Sequence, residues 1–333
     1  MGRKLCVVLL TILVSASAYS HHSTSAFDLD RVLEFRGTVV QYRWRNPHVY
    51  IVVRAEDDIE WTIESDATSV LRRSNWSRDS FGIGDSVSVR ANPDRNTTKK
   101  HALLLSITGP NGVSLASMKR TGESNVPSVP ASAKSLAGIW TSDRAQTSPF
   151  MRAMNNQPLT EKGELAKAEF EDSMNPATEC IAFPTPFMMA MNHTYLMEIE
   201  LQETEIQLRN EFYNATRTIY MDGRRHPENG NYTNQGHSIG WWDEATLVID
   251  TTQFSDHRSS LVPRSGVPSG PEKHVVERLT LSEDGSQLVV SILLSDPEYL
   301  AEPFAAELVW SYAPDLAMDT VDCDPEVARY SLE

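Results

Sequence analysis

The chain has 333 residues, with 45 acidic side chains against 30 Lys and Arg, and a formal net charge of −15 at pH 7. A protein this acidic repels polyphosphates and anionic lipid surfaces, so the charge argues against nucleic acid as a partner. The length is sufficient for two domains of ordinary size.

Residues 1–20 have the pattern of a secretory signal peptide. An Arg-Lys pair at residues 3–4 precedes an apolar run over residues 5–14, and Ala-Ser-Ala at residues 16–18 is typical of a cleavage site. The apolar run is shorter than the roughly 20 residues that span a bilayer, and no later segment is long and apolar enough. We expect cleavage after Ala18 or Ser20, a periplasmic or secreted location, and no integral membrane segment.

The two cysteines that follow the signal peptide are expected to form a disulfide. Cys6 is removed with the leader, which leaves Cys180 and Cys323 in an oxidising compartment. An even pair there is more often a disulfide than a metal site or a reactive thiol. Such a bond would connect the middle of the chain to its C-terminus.

The first domain is predicted over residues 21–112 and the linker over residues 113–136, which are rich in Ser, Pro and Ala. Short alternating runs such as VLEFRGTVVQYRW and HVYIVVRAED predict four or five strands, and ATSVLRRSNWS predicts one short helix. This pattern indicates a small β-barrel with the shape of an oligonucleotide/oligosaccharide-binding (OB) fold.

The second domain is predicted over residues 137–333. LTEKGELAKAEFEDSM predicts a helix that Thr160 caps, and nearly everything after Thr194 alternates as strands do. Seven or eight antiparallel strands indicate a barrel with room for one small ligand. The fold class is therefore mainly β, an OB-like barrel followed by a larger, lipocalin-like antiparallel barrel with one short helix.

The first domain resembles a family of uncharacterised exported bacterial proteins. The resemblance covers residues 21–110 and rests on His21-His22-Ser23, Gly37-Thr38-Val39, and Trp44-x-Asn46-Pro47-His48. It implies export and no established activity.

The second domain resembles another uncharacterised exported family, which implies export and a lipocalin-like barrel. The matching residues are Arg217, Ile219, Tyr220, Asp222, Gly223, Arg224, His226, Pro227, Gly236, His237, Ser238, Gly240, Trp242 and Asp250. The chain departs from the pattern by one extra residue after Cys180 and by the loss of a turn glycine near Glu244.

The segment RTIYMDGRRHPENGNYTNQGHSIGWW concentrates polar side chains at the expected barrel rim. His237, Asp222, His226 and Arg217 are candidate catalytic residues, since a histidine oriented by a carboxylate can transfer protons near neutral pH. Arg224, Tyr220 and Trp242 are candidate ligand contacts. The alternative is a structural network in which an ion pair of Asp222 and Arg224 fixes the turn.

The segment CIAFPTPFMMAMNHTYLM is rich in Phe and Met, which fill cores or line adaptable apolar sites. Phe187 and Met189 are candidate ligand contacts in a lid over the barrel. Core packing is the alternative.

Cleavage after Ser20 would make His21 the first residue. Its amine and imidazole, with His22 and His48, could then hold a copper ion, because copper favours nitrogen ligands. The alternative is a frayed terminus beside a histidine at a strand end. No cofactor other than copper is indicated.

The leading hypothesis is an exported protein whose second barrel binds a small apolar or amphipathic ligand. The alternative is an acid/base enzyme (an isomerase, hydratase or hydrolase) that uses His237, Asp222 and His226, and the third hypothesis is copper binding. The identity of the ligand and the oligomeric state cannot be derived from these patterns.

Overall fold

The computed structural model describes residues 26–117, 124–230, 232–255 and 266–329. These residues form two closed β-barrels with few helices, which confirms the predicted fold class. Within these residues the ring of the first barrel has five strands, β1 (Leu33–Arg43), β2 (Tyr50–Ala55), β3 (Glu60–Glu64), β4 (Ser86–Pro93) and β5 (His101–Thr108). A short sixth strand, β6 (Ser114–Ala116), pairs with β5 outside the ring.

The first barrel has the strand order of an OB-fold. Strand β1 is long enough to pair with both β2 and β4, while β3 pairs with β5 in parallel and closes the ring. Helix α1 (Thr68–Arg73) connects β3 to β4. The interior of this barrel is an apolar cluster that includes Val39, Ile51 and Ile63.

The second barrel has nine strands within the described residues, one more than a lipocalin-type barrel. They are β7 (Gly138–Thr141), β8 (Met197–Leu201), β9 (Glu205–Asn210), β10 (Ala215–Tyr220), β11 (His237–Asp243), β12 (Thr246–Thr252), β13 (His274–Leu281), β14 (Gln287–Ser295) and β15 (Phe304–Tyr312). Every neighbouring pair is antiparallel except β10 and β11.

The described part of the chain has three further α-helices, which follow the first barrel: α2 (Arg144–Asn155), α3 (Glu161–Ala168) and α4 (Pro325–Arg329). Thr160 caps α3 as predicted, since its hydroxyl accepts a hydrogen bond from the Gly163 amide at 3.1 Å. Helix α2 was not predicted, because Pro149 lies inside it and its first turn carries no acidic residue. Short 3₁₀ helices span Asp172–Met174, Pro176–Glu179, Phe187–His193 and Phe212–Asn214.

Part of the predicted linker, residues 113–136, is integrated into the two barrels. Strand β6 lies inside this range and pairs with β5. At the other end, the Ala133 amide donates to the Gly285 carbonyl at 2.8 Å, and Leu136 is buried in the core of the second barrel. The linker between the two barrels is therefore shorter than the predicted range, residues 113–136.

The interior of the second barrel is filled with side chains. Trp140, Trp310, Phe304 and Leu294 belong to one apolar cluster. A buried ion pair, Arg217 with Glu277, lies among them, and Glu277 is fully buried. The interior is therefore packed, and space for a ligand has to be sought at the wall.

The C-terminal segment joins the two barrels. Cys180 and Cys323 form the predicted disulfide, with their Cα atoms 5.7 Å apart. The Asn46 side chain, buried in the first barrel, donates to the Asp322 carbonyl at 3.3 Å and accepts from the Thr68 amide at 2.9 Å. Asn46, part of the Trp-x-Asn-Pro-His motif, therefore orders both the start of α1 and the returning C-terminal segment.

A second contact between the barrels is ionic. Arg73 of α1 donates to both carboxylate oxygens of Glu211 at 2.9 Å, and Glu211 is fully buried. The Leu196 and Asp319 amides also donate to this carboxylate, each at 3.0 Å.

None of the helices in the described ranges is long and apolar enough to cross a membrane.

Candidate functional site

The wall of the second barrel contains a cleft where β10 meets β11. These two strands overlap by only two residue pairs, Ile219 with Ser238 and Tyr220 with Ile239. The first four residues of β10 therefore extend past the start of β11, and the space beside them is a cleft of about 530 Å³. Small-molecule sites commonly have volumes of roughly 300 to 1,000 Å³.

The lining of the cleft mixes apolar and polar groups. It consists of Ile181, Ala182, Ala215, Thr216, Arg217, Thr218, Tyr220, Thr233, Asn234, Gln235, Gly236 and His237. Ile181 and Ala182 follow Cys180, so the disulfide holds this part of the wall in place.

The two sides of the cleft mouth are bonded to each other. The Gln235 side chain donates to the Phe183 carbonyl at 2.7 Å and accepts from the Thr185 hydroxyl at 2.9 Å. Asn234 donates to the Ala182 carbonyl. These bonds connect the segment after Cys180 to the turn before β11, and they give the cleft a preformed shape.

Arg217 forms the floor of the cleft and is only 2% exposed. Its Nε donates to the Ser238 hydroxyl at 2.9 Å, its Nη2 to the Thr251 hydroxyl at 2.7 Å, and its Nη1 to Glu277 at 3.1 Å. The guanidinium charge is thus balanced by Glu277. Ser238, which matches a Gly-x-Ser-x-Gly pattern by its letters, is buried as a partner of this arginine.

One wall of the cleft leads into a histidine chain, defined as His237, His226, Asp250 and His274. His237 Nδ1 and His226 Nδ1 are 2.8 Å apart, and His226 Nε2 is 2.9 Å from Asp250 Oδ1. His274 Nε2 is 2.8 Å from the other oxygen of Asp250. Strands β11, β12 and β13 carry His237, Asp250 and His274 on the outer face of the barrel, and His226 lies in the loop between β10 and β11. Of these four residues, only His237 lines the cleft.

The bonds of the chain determine where its protons lie. The Asp250 carboxylate can only accept, so His226 Nε2 donates to it and His226 Nδ1 is left as an acceptor. His237 Nδ1 then donates to His226, which leaves His237 Nε2 unprotonated. Burial, with the nearby His226 and Arg224, lowers the pKa of His237. At neutral pH the cleft therefore presents a neutral imidazole.

Asp222, which was predicted to orient a histidine, pairs with Arg224 instead. Its carboxylate accepts from Arg224 Nε at 2.8 Å, and this bond lowers the pKa of Asp222 to about 2. Arg224 in turn lies over the Tyr220 ring, 3.9 Å from its centroid, and Tyr220 stacks on His237 with ring centroids 5.2 Å apart. This arrangement matches the ion pair weighed as the structural alternative.

Asp250 holds the position next to the histidines that was expected of Asp222. Asp250 and His274 were not considered as site residues. The available signal was an acidic residue at an outward-facing position of the alternating run TLVIDTT, next to the strand that begins with His237.

The other predicted contacts are dispersed. Phe187 and Met189 are buried in the core of the second barrel at 2% and 0% exposure, and neither lines the cleft. Trp242 is 49% exposed near the end of β11 that is farther from the cleft. Of the predicted residues, the cleft brings together Tyr220, His237 and Arg217, with His226 and Arg224 directly behind.

Of the predicted copper ligands, His21 and His22 lie outside the described residues. His48 Nδ1 lies 3.0 Å from the Ser65 carbonyl and 3.5 Å from Glu64. His101 Nε2 is 3.2 Å from the other oxygen of Glu64. The described ranges contain no group of three or more His, Cys, Asp or Glu arranged to hold a metal ion.

Comparison with known proteins relates only parts of the chain to others. Residues 9–103 match the model of a family of unknown function (DUF6152). A search of curated protein sequences found no significant match. Among solved structures, a mutant of the fluorescent protein UnaG aligns with a TM-score of 0.27 and 12% identity, covering 53% of this chain and 95% of that one.

The family match agrees with the predicted resemblance of the N-terminal part to an uncharacterised family. It covers less than half of the chain, and it lies over the first barrel rather than over the cleft. The resemblance of the second domain to a further family stays a prediction.

Proposed function

We propose that the protein is exported and that its second barrel binds a small amphipathic ligand in the cleft beside β10. The observation that carries this proposal is a preformed cleft of about 530 Å³ whose lining combines apolar and polar side chains. Sites for small molecules characteristically combine an apolar surface with a few placed polar groups.

The distribution of lining residues suggests how such a ligand would lie. Ile181 and Ala182 would cover its apolar part, while Thr218, Tyr220 and His237 offer hydrogen-bonding groups to its polar end. A purely apolar ligand would cover His237 Nε2 without offering it a partner, and a buried polar atom left unpaired costs roughly 1 to 3 kcal/mol. The lining therefore favours an amphipathic ligand over the purely apolar one.

Export is supported by two independent features. The leader sequence has the charge, apolar run and small residues of a signal peptide. Disulfide bonds such as Cys180–Cys323 persist in oxidising compartments and are rare in reducing ones. The ligand would then be a molecule that is present outside the cytoplasm.

A substitution that fills the cleft tests the proposal. Thr216 is exposed and lines the cleft, so Thr216→Trp should occupy the site without disturbing the core. Ala305→Trp is the matched control, since Ala305 is an exposed position of β15 that lies outside the cleft lining. Binding is measured by native mass spectrometry of protein purified from its own host and by fluorescence of anilinonaphthalene sulfonate.

The wild type and Ala305→Trp should retain a co-purified molecule or bind the probe, and Thr216→Trp should lose at least tenfold in affinity. Equal binding by the two variants would place the ligand elsewhere. Absence of binding in the wild type would refute the proposal.

A further inference from the structure

We propose that the ligand of this cleft is an amphipathic weak acid, whose acidic group binds at His237 and whose binding proton is held by the histidine chain. This rests on the ligand-binding function proposed above and names the chemical class of the ligand. The carrying observation is that, among the described residues that line the cleft, one cation-forming group is not already neutralised.

The two arginines near the cleft are committed to other partners. Arg217 forms the floor, but Glu277 balances its charge inside the barrel. Arg224 lies behind Tyr220 and is paired with Asp222 through bonds of 2.8 and 3.0 Å from its Nε. Of the groups that line the cleft, His237 is therefore the one at which a positive charge can form opposite a bound acid.

His237 presents its Nε2 as a free proton acceptor. Within the described residues this atom has no hydrogen-bond partner, while Nδ1 faces His226 at 2.8 Å. Beyond His226 lies the Asp250 carboxylate, at 2.9 Å from Nε2 of that ring. A proton added at Nε2 of His237 is thus compensated through His226 by a fixed negative charge, as in other histidine–carboxylate arrangements.

In the proposed binding step, a proton moves from the acid to the histidine chain. The undissociated acid gives its proton to His237 Nε2 and keeps the electron pair as a carboxylate or phenolate. The Nδ1 proton of His237 then shifts to His226 Nδ1, so the positive charge lies beside Asp250. When the ligand arrives already ionised, the same proton is taken from solvent.

The groups around His237 determine the direction of the pH dependence. Tyr220 of β10 stacks on its ring, Arg224 repels a positive charge there, as His226 does when it is itself protonated, and Asp250 of β12, which also binds His274 of β13, attracts one. Burial, with these repulsions, lowers the pKa of His237, so the ring is neutral at neutral pH. Binding an anion must therefore take up a proton.

Two probes that differ only in the acidic group test the inference. 4-Butylbenzoate is ionised at pH 7.5, whereas 4-butylbenzyl alcohol has the same apolar part and no charge. Isothermal titration in buffers of different ionisation enthalpy counts the protons taken up with each probe. We expect close to one proton for each bound benzoate and none for the alcohol.

The affinity for the benzoate should fall about tenfold for each pH unit above the pKa of His237, because one proton is linked to binding. The affinity for the alcohol should stay constant over the same range. Benzoate binding without proton uptake in the wild type would overturn the inference.

Variants of the histidine chain distinguish its role in proton uptake from ligand binding in the cleft as a whole. His237→Gln should abolish proton uptake and weaken the benzoate at least tenfold while leaving the alcohol unchanged, which also shows that the variant is folded. Asp250→Asn should reduce both uptake and benzoate affinity. Asp243→Asn is the matched control, since Asp243 is an exposed acid on neighbouring β11 that pairs with Arg278.

The outcomes distinguish the two proposals. If neither probe binds the wild type, the ligand-binding function itself fails. If both probes bind with equal affinity at every pH, or if His237→Gln retains proton uptake, the cleft binds ligands but the inferred acid class is wrong.

Discussion

Both barrels close through a single parallel strand pair, and a histidine–carboxylate group lies at each of these seams. Within the described ranges the first barrel has five strands and the second has nine. Because neighbouring antiparallel strands alternate in direction, a closed ring with an odd number of strands needs one parallel pair. The pairs are β3 with β5 and β10 with β11.

The seam of the first barrel is covered by side chains. Strands β3 and β5 overlap by three residue pairs, beginning with Thr62 and His101. The Phe27 ring packs with its edge on His101, with centroids 5.0 Å apart, and Glu64 lies between His101 and His48.

The seam of the second barrel is open. Strand β11 begins at His237, level with the last part of β10, so the other four residues of β10 border the cleft. The second seam has the shorter overlap, and the gap between its strands is the cleft to which we assign ligand binding. The histidine at the open seam then faces a volume that a ligand can enter.

The largest expected effect concerns the Cys180–Cys323 disulfide, which holds one wall of the open seam in place. Replacing Cys180 and Cys323 with Ser should lower the free energy of unfolding by about 4 to 5 kcal/mol, since the bond closes a very long loop in the unfolded chain. Urea denaturation measures the change, and the wild type under a reductant should match the variant. Because Ile181 follows Cys180, binding in the cleft should weaken as well. An unchanged unfolding midpoint would show that the seam is stable without the disulfide.

The next effect concerns the charged floor of the open seam. Arg217→Met should destabilise the protein by about 3 to 5 kcal/mol, because it leaves the fully buried Glu277 carboxylate without its partner. The double variant Arg217→Met with Glu277→Leu is the control, and it should recover most of the loss. Chemical denaturation monitored by tryptophan fluorescence measures both variants. A loss below about 1 kcal/mol for the single variant would contradict a structural role for this pair.

The smallest effect tests whether the two seams differ in chemistry. If cleavage leaves His21 as the first residue, Cu²⁺ should bind to the first barrel, and His48→Ala should weaken it by about tenfold, or 1.4 kcal/mol. His274→Ala, at the second seam, is the matched control and should leave copper affinity unchanged. Electron paramagnetic resonance of the titrated protein identifies the nitrogen ligands. A protein with one extra residue before His21 should lose the site, and copper held equally well by that protein would contradict the predicted ligands.

The features predicted correctly from the sequence depend on neighbours in the chain. Alternating apolar residues indicated the strands, such as β13 and β14. The Thr160 cap involves residues three positions apart. The disulfide followed from counting the cysteines that remain after export. Each of these inferences needs only local geometry or composition.

The candidate site was predicted in part, and its errors have one physical cause. Asp222 was assigned to the histidines because it is close to them in sequence, but Arg224, two residues away, binds its carboxylate first. Asp250 reaches His226 because the pairing of β11 with β12 and the fold of the preceding loop bring distant residues together. Likewise, Phe187 and Met189 are apolar enough for a lid or a core, and only the packing of the whole barrel decides between these roles.

The mainly β class of this protein, its two barrels, its disulfide and the segment that contains His226 and His237 were predictable from the amino-acid sequence. The number of strands, the position of the parallel seam and the partners of the charged side chains depend on the folded structure. The physical reason is that strand alternation is encoded within a few residues, whereas the closure of a barrel and the matching of buried charges depend on contacts across the whole chain.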